Sequence, residues 1–249
     1  MRFIKAQQKV KVFGIGGCGS EIVHKIEANA RLSKIIINTD VAHLNCNISE
    51  TNSLDASILC GKETCRGLGC GGKVSLGYKS AKESFSNIMY LFDHNLINVF
   101  VCGLGGGCGS GTTKYLLKEL KRSFKYDKYY NKCNFIICTF PLDIEKKRVA
   151  KAKKVLKALS KYCRLIIIIE MESFFQTFKK KRVHEFFLYI NDLVRDYLVN
   201  LSRLRNKEII DSFEVYKKKR KMLRIKSPSD LKKYFLCEDN NGAICKNKR

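Results

Sequence analysis

The chain has 249 residues, 45% of them hydrophobic and 29% charged, with 48 Lys and Arg against 23 Asp and Glu for a formal charge of +25. That length buries one sizeable core, or one domain with a small appendage, and only 2 prolines with no low-complexity tract argue for a continuous fold. No apolar run approaches the roughly 20 residues of a membrane span, and residues 1–9 lack both a signal-peptide core and room for a transit peptide, so the sequence as given is expected to be soluble and to carry no address.

Apolar runs alternate with helical periods along the chain. Strands are predicted at residues 9–14, 34–39, 57–60, 97–102, 134–139 and 164–169, and helices starting near Gly19, Val74, Ser110, Glu145 and Arg182. This alternation is that of an α/β fold with a mostly parallel sheet and helices on both faces, where ligands collect at the carboxyl ends of the strands. The glycine-rich segments fall on that edge.

The first of them, Gly14-Ile15-Gly16-Gly17-Cys18-Gly19, follows the first strand and opens a helix, and Asp40 ends the next strand. Taken alone, this is the dinucleotide fingerprint and points to NAD or FAD. A second, Arg66-Gly67-Leu68-Gly69-Cys70-Gly71-Gly72, precedes another helix. The densest is Gly103-Leu104-Gly105-Gly106-Gly107-Cys108-Gly109-Ser110-Gly111-Thr112, set between an apolar strand and an amphipathic helix. Glycine there discards packing, which makes sense where backbone N–H groups must close around phosphate at a helix N-terminus, with Ser110, Thr112 and Thr113 adding hydroxyl donors. No G-x-x-x-x-G-K-[ST] occurs, so this is not a P-loop. Separate phosphate loops on adjacent strand ends suit a nucleoside triphosphate held from several sides.

The longest helical pattern runs over residues 182–205, and residues 209–225 read as one more helix, rich in basic residues. From residue 226 the pattern dissolves into a polar tail, where fraying is expected. The 12 cysteines contain no Cys-x-x-Cys pair and the 4 histidines are scattered, so no zinc site is expected, and the cysteines read as small buried hydrophobes in a reducing compartment. The positive charge is spread over helix surfaces without the aromatic interleaving of a nucleic-acid groove, so nucleic acid is not the expected partner.

Several of these motifs together resemble the tubulin/FtsZ family. Gly103 to Gly111 resembles the signature G-G-G-[ST]-G-[ST]-G, with Cys108 at the first hydroxyl position. The loop Gly14 to Ser20, the strand end Ile37-Asn38-Thr39-Asp40 and the segment Gly61 to Gly72 are similar to FtsZ in order and spacing, the last closest to cyanobacterial and plastid FtsZ. The resemblance spans roughly residues 9–216. It implies a Rossmann-like GTPase domain over residues 1–180, a central helix and synergy loop over 181–225 and a tail over 226–249, with the second FtsZ domain expected to be missing.

Carried over residue by residue, the resemblance implies that Gly16, Gly17, Cys18, Gly19, Ser20 and Glu21 form the first nucleotide loop, Asn38 and Asp40 the second, and Gly71 and Gly72 the third. Gly105, Gly106, Gly107, Cys108, Gly109, Ser110 and Gly111 would wrap the β- and γ-phosphates. In a segment one residue shorter than the family pattern, Glu145 would meet the ribose and Arg148 the γ-phosphate. Phe187 and Asn191, four residues apart on one helical face, would stack on guanine and read its edge. Glu21 and Glu170 stand where FtsZ usually has asparagines near the base. A carboxylate there can still accept from guanine N1–H. Asp211 and Glu214 match the paired acids that reach the next subunit's nucleotide, with Ile209 in place of the usual asparagine. The implied cofactors are GTP or GDP with Mg2+, and the implied partners are itself or full-length FtsZ and other division-ring proteins, in a bacterial-type cytoplasm or a plastid stroma. The expected function is a division GTPase that hydrolyses in trans; the alternatives are a filament modulator that does not hydrolyse and, from Gly14 to Gly19 with Asp40, a dinucleotide oxidoreductase.

Overall fold

The computed structural model describes residues 10–27, 31–50, 53–93, 96–125, 134–163, 165–178, 182–204 and 222–235. Seven strands form one parallel sheet in the order β3-β2-β1-β4-β5-β6-β7. They are β1 (Val10–Ile15), β2 (Leu32–Asn38), β3 (Ala56–Leu59), β4 (Ile97–Gly103), β5 (Asn134–Phe140), β6 (Leu165–Glu170) and β7 (Met222–Ile225). The helices are α1 (Gly16–His24), α2 (Val41–Ser49), α3 (Lys62–Cys65), α4 (Val74–Glu83), α5 (Phe85–Leu91), α6 (Cys108–Ser123), α7 (Lys146–Leu159), α8 (Met171–Thr177), α9 (Val183–Arg203) and α10 (Pro228–Phe235).

Strands β2, β4, β5 and β6 are Ile, Val and Phe runs buried along nearly their whole length, the signature of a sheet covered on both faces. Phe13 of β1 and Phe100 of β4 lie side by side in register and stack, their ring centroids 5.1 Å apart, at the centre of this core. All six expected strands are present within two residues of their predicted starts.

The strand β7 corrects the expected helix over residues 209–225, of which 209–221 lie outside the described residues. Met222-Leu223-Arg224-Ile225 pairs in parallel with β6 from Ile166 to Ile169. Leu223 and Ile225 are buried, whereas Arg224 is exposed, a two-residue period that four residues after a lysine run are too short to announce. The expected tail also orders in part, since Asp230 accepts from the N–H groups of Lys226 and Ser227 at the start of α10. Among the described residues no helix is long and apolar enough to cross a membrane.

Candidate functional site

The sheet order reverses between β1 and β4, so the loops leaving these adjacent strands open beside one another at their carboxyl ends. The glycines of those loops do two different jobs. At Gly19 a β-carbon would stand 2.1 Å from the Val101 carbonyl oxygen, at Gly111 2.3 Å from that of Val74, and at Gly107 2.4 Å from the Cys70 β-carbon. These positions let α1 settle on β4, and α6 with its entry loop on α4 and the loop before it. Gly16, with φ of 70°, meets the Gly109 amide nitrogen in the same way at 2.7 Å, bringing the two loops into backbone contact.

Gly17 and Gly106 are different. A β-carbon at Gly17 would meet nothing nearer than the His43 ring at 3.9 Å, and at Gly106 nothing nearer than the Gly103 carbonyl at 4.0 Å. Neither has a positive φ. Packing and backbone strain therefore give no reason for glycine here, and the space above the backbone at both positions is open.

Beside Gly17 opens a cleft of about 320 Å³, within the range of small-ligand sites. It is lined by Gly17, Cys18 and Glu21 of α1, Arg148 of α7, and Phe187 and Asn191 of α9, so six of the residues expected at the nucleotide share one cavity. Phe186 is buried and holds α9 down, leaving Phe187 41% exposed toward the cleft. Partial burial opposes ionisation of Glu21, but the hydrogen bond and charge of Lys25 outweigh it and hold its carboxyl below the usual value. Burial pushes the Cys18 thiol up, with its sulfur 3.5 Å from the Thr139 hydroxyl. His43, Thr139, Met171, His184, Leu188 and Ile190 complete the lining. None of these was singled out from the sequence, where a scattered histidine or a strand-end threonine carries no motif.

Other expected residues stand elsewhere. Ser20 is fully buried behind the loop, and its hydroxyl has no partner among the described residues. Asn38 is 3% exposed, its Oδ1 accepting from the N–H groups of Thr39 and Asp40. The Asp40 carboxylate accepts the His43 backbone N–H through one oxygen and caps α2, and Asp40 does not line the cleft. Glu145 pairs with Arg148 and accepts from the Leu142 N–H, orienting the arginine without lining the cleft. Glu170 pairs with Arg224 across β6 and β7 and does not line it either.

The hydroxyls of the dense glycine loop also turn inward. Ser110 and Thr112 are fully buried; Ser110 accepts the Gly105 N–H at 2.8 Å and Thr112 donates to the Gly77 carbonyl. They staple the loop instead of reaching a phosphate as expected. Cys108 likewise points into the core, its sulfur 3.8 Å from the Thr112 hydroxyl and its thiol pushed up by burial. The departure from the family's hydroxyl residue therefore leaves the outward backbone of the loop intact. Gly71 and Gly72 have φ of 51° and 70°, and Lys151 donates to the Gly72 carbonyl, tying that turn to α7. Asp211 and Glu214 lie outside the described residues.

A parallel sheet reversing between β1 and β4, with glycine loops and a cleft at the reversal, defines a doubly wound α/β protein of the nucleotide-binding type. Residues 9–179 match the Tubulin/FtsZ family, GTPase domain, and the chain belongs to that family. It is 32% identical over 176 residues to the cell division protein FtsZ of Helicobacter pylori (strain ATCC 700392 / 26695), covering 69% of this chain and 43% of that protein. Among solved structures it resembles the empty FtsZ dimer of M. jannaschii, with a TM-score of 0.72 and 23% identity over 88% of this chain and 63% of that one. It also resembles CetZ2 from Haloferax volcanii, solved as a GTPγS-bound protofilament, with a TM-score of 0.68 and 21% identity over 82% of this chain and 62% of that one. The chain spans about half the length of the curated relatives it matches.

Proposed function

We propose that the cleft binds a guanine nucleotide and that the chain is an FtsZ-like division GTPase acting through contacts between subunits. The observation that carries this reading is the meeting, in one cavity, of the open glycine Gly17 with Arg148, Phe187 and Asn191. The base would stack on Phe187 and be read by Asn191 and the carboxylate of Glu21. The phosphates would lie over the amides of Gly17 and of residues 105–109, with the Arg148 cation at their end. Stacking on an exposed phenylalanine contributes about 1–3 kcal/mol.

Mg2+ fits such a site. Among the described residues no three His, Cys, Asp or Glu side chains cluster as a metal cage, but Mg2+ needs none, since it takes phosphate oxygens, waters and one or two carboxylates. When bound it would neutralise the β- and γ-phosphates. The residues of this chain orient the nucleotide and leave its phosphate end to be approached from outside. Asp211 and Glu214, presented by the next subunit, would polarise the attacking water. Self-association is supported by the dimer and protofilament forms of the relatives.

Phosphate release measured against protein concentration, with GTP and Mg2+ in excess, tests the trans mechanism. Specific activity should rise with concentration, or on adding Helicobacter pylori FtsZ. Activity independent of both would leave the binding site and remove the trans reading. Shortened polymers in that mixture without phosphate release would favour a filament modulator.

A further inference from the structure

One histidine of the cleft is held in a way that fixes its chemistry. The Asn38 amide cannot turn around, because its Oδ1 accepts two backbone N–H groups, Thr39 at 2.8 Å and Asp40 at 3.3 Å. Its Nδ2 therefore faces His43 Nδ1, at 3.0 Å, as a donor. The Asn47 Nδ2, on the same helix and 2% exposed, approaches the same ring nitrogen at 3.3 Å. The fixed Asn38 donor requires that nitrogen to accept, so the neutral ring carries its proton on Nε2. The helix cap formed by Asp40 with the His43 backbone N–H fixes the residue from its other end. The Cε1–Nε2 edge of the ring faces Gly17, both atoms 3.9 Å from where a β-carbon there would stand, and His43 lines the cleft.

Resting on the guanine-nucleotide reading of the cleft, we propose that His43 is a further binding residue: a neutral Nε2–H donor to a phosphoryl oxygen held over Gly17, with Asn38 and Asn47 as its positioning residues. This gives Asn38, 3% exposed, a positioning part in the site. It also explains why Gly17 must be small, since any side chain there would stand between the imidazole and the oxygen. A hydrogen bond to a charged acceptor predicts about tenfold to a hundredfold in affinity.

The test uses the full chain, GDP, and guanosine as the phosphate-free control. ¹⁵N NMR of the free protein should show the Nε2–H tautomer at His43, and that N–H resonance should shift on adding GDP. His43→Ala should weaken GDP binding at least tenfold while guanosine binding holds. His43→Gln, whose amide N–H reaches about as far as Nε2, should restore most of the loss. An Nδ1–H tautomer, equal GDP affinity in wild type and His43→Ala, or equal loss for guanosine and GDP would each overturn the proposal. Wild-type protein that binds no GDP overturns the reading of the cleft itself, and this proposal with it.

Discussion

Two alanines placed two residues apart on α1 should have opposite consequences. In Gly19→Ala the new β-carbon would lie 2.1 Å from the Val101 carbonyl oxygen and 3.0 Å from the Gly14 carbonyl carbon, all of it backbone. No flexible side chain can yield, so α1 must lift from β4. Overpacking of this kind costs about 1–3 kcal/mol, which in a chain of this size lowers Tm by about 2–12 °C. In Gly17→Ala the β-carbon enters open space, with the His43 ring 3.9 Å away and φ already compatible with alanine. Removing glycine's excess freedom there gains about 0.4–1 kcal/mol, so Tm should hold or rise slightly. The same methyl stands over the amides proposed to hold phosphate and should weaken GDP binding severalfold. Thermal unfolding and calorimetric titration on the two variants separate these effects. A Tm loss at Gly17→Ala matching that at Gly19→Ala, or undiminished GDP binding at Gly17→Ala, would refute the division of the glycines into packing and ligand-facing sets.

Phe187→Ala should weaken guanine-nucleotide binding about 5- to 150-fold, the loss of one base stack, with little change in Tm because the ring is 41% exposed; titration with a fluorescent guanine nucleotide checks the first and thermal unfolding the second. Ser110→Ala removes the acceptor of the buried Gly105 N–H and should cost about 1–3 kcal/mol in unfolding experiments. Asp211→Asn and Glu214→Gln should abolish phosphate release in assembled protein while leaving nucleotide affinity unchanged. The N–H groups of Glu63 and Thr64 and the Thr64 hydroxyl hold the Glu83 carboxyl below its usual value of 4.5. A lowered folded value means this tie of α3 to α4 stabilises above pH 4.5 and is lost as pH falls through the folded value. Unfolding midpoints of wild type and Glu83→Gln should therefore differ near neutral pH and converge in acid.

The sheet was legible because its strands are short apolar runs that alternate with helical periods and glycine loops, the pattern of a parallel sheet covered on both faces. β7 was not, since its burial depends on the edge that β6 offers to four residues following a lysine run. Within the site, the glycine loops and the meeting of Glu21, Arg148, Phe187 and Asn191 in one cleft were readable, and the hydrogen bonding of the other side chains was not. Gly16 to Gly19 look alike in sequence, yet Gly17 opens to the cleft while Gly19 is packed against β4. Glu145, Glu170 and Asp40 match motif positions, but their carboxylates are taken up by Arg148, Arg224 and the α2 N-terminus. His43 carried no signal, because its orientation comes from an Asn38 amide fixed by two backbone donors that only the folded strand end supplies.

The central claim is that the cleft beside Gly17 is a guanine-nucleotide site, and calorimetric titration of the full chain with GTP, GDP and ATP in the presence of Mg2+ tests it most directly. Saturable binding of GTP and GDP near one equivalent, at least tenfold tighter than ATP and weakened by Phe187→Ala, is the predicted result. No heat with either guanine nucleotide, or equal affinity for ATP and GTP, would contradict it.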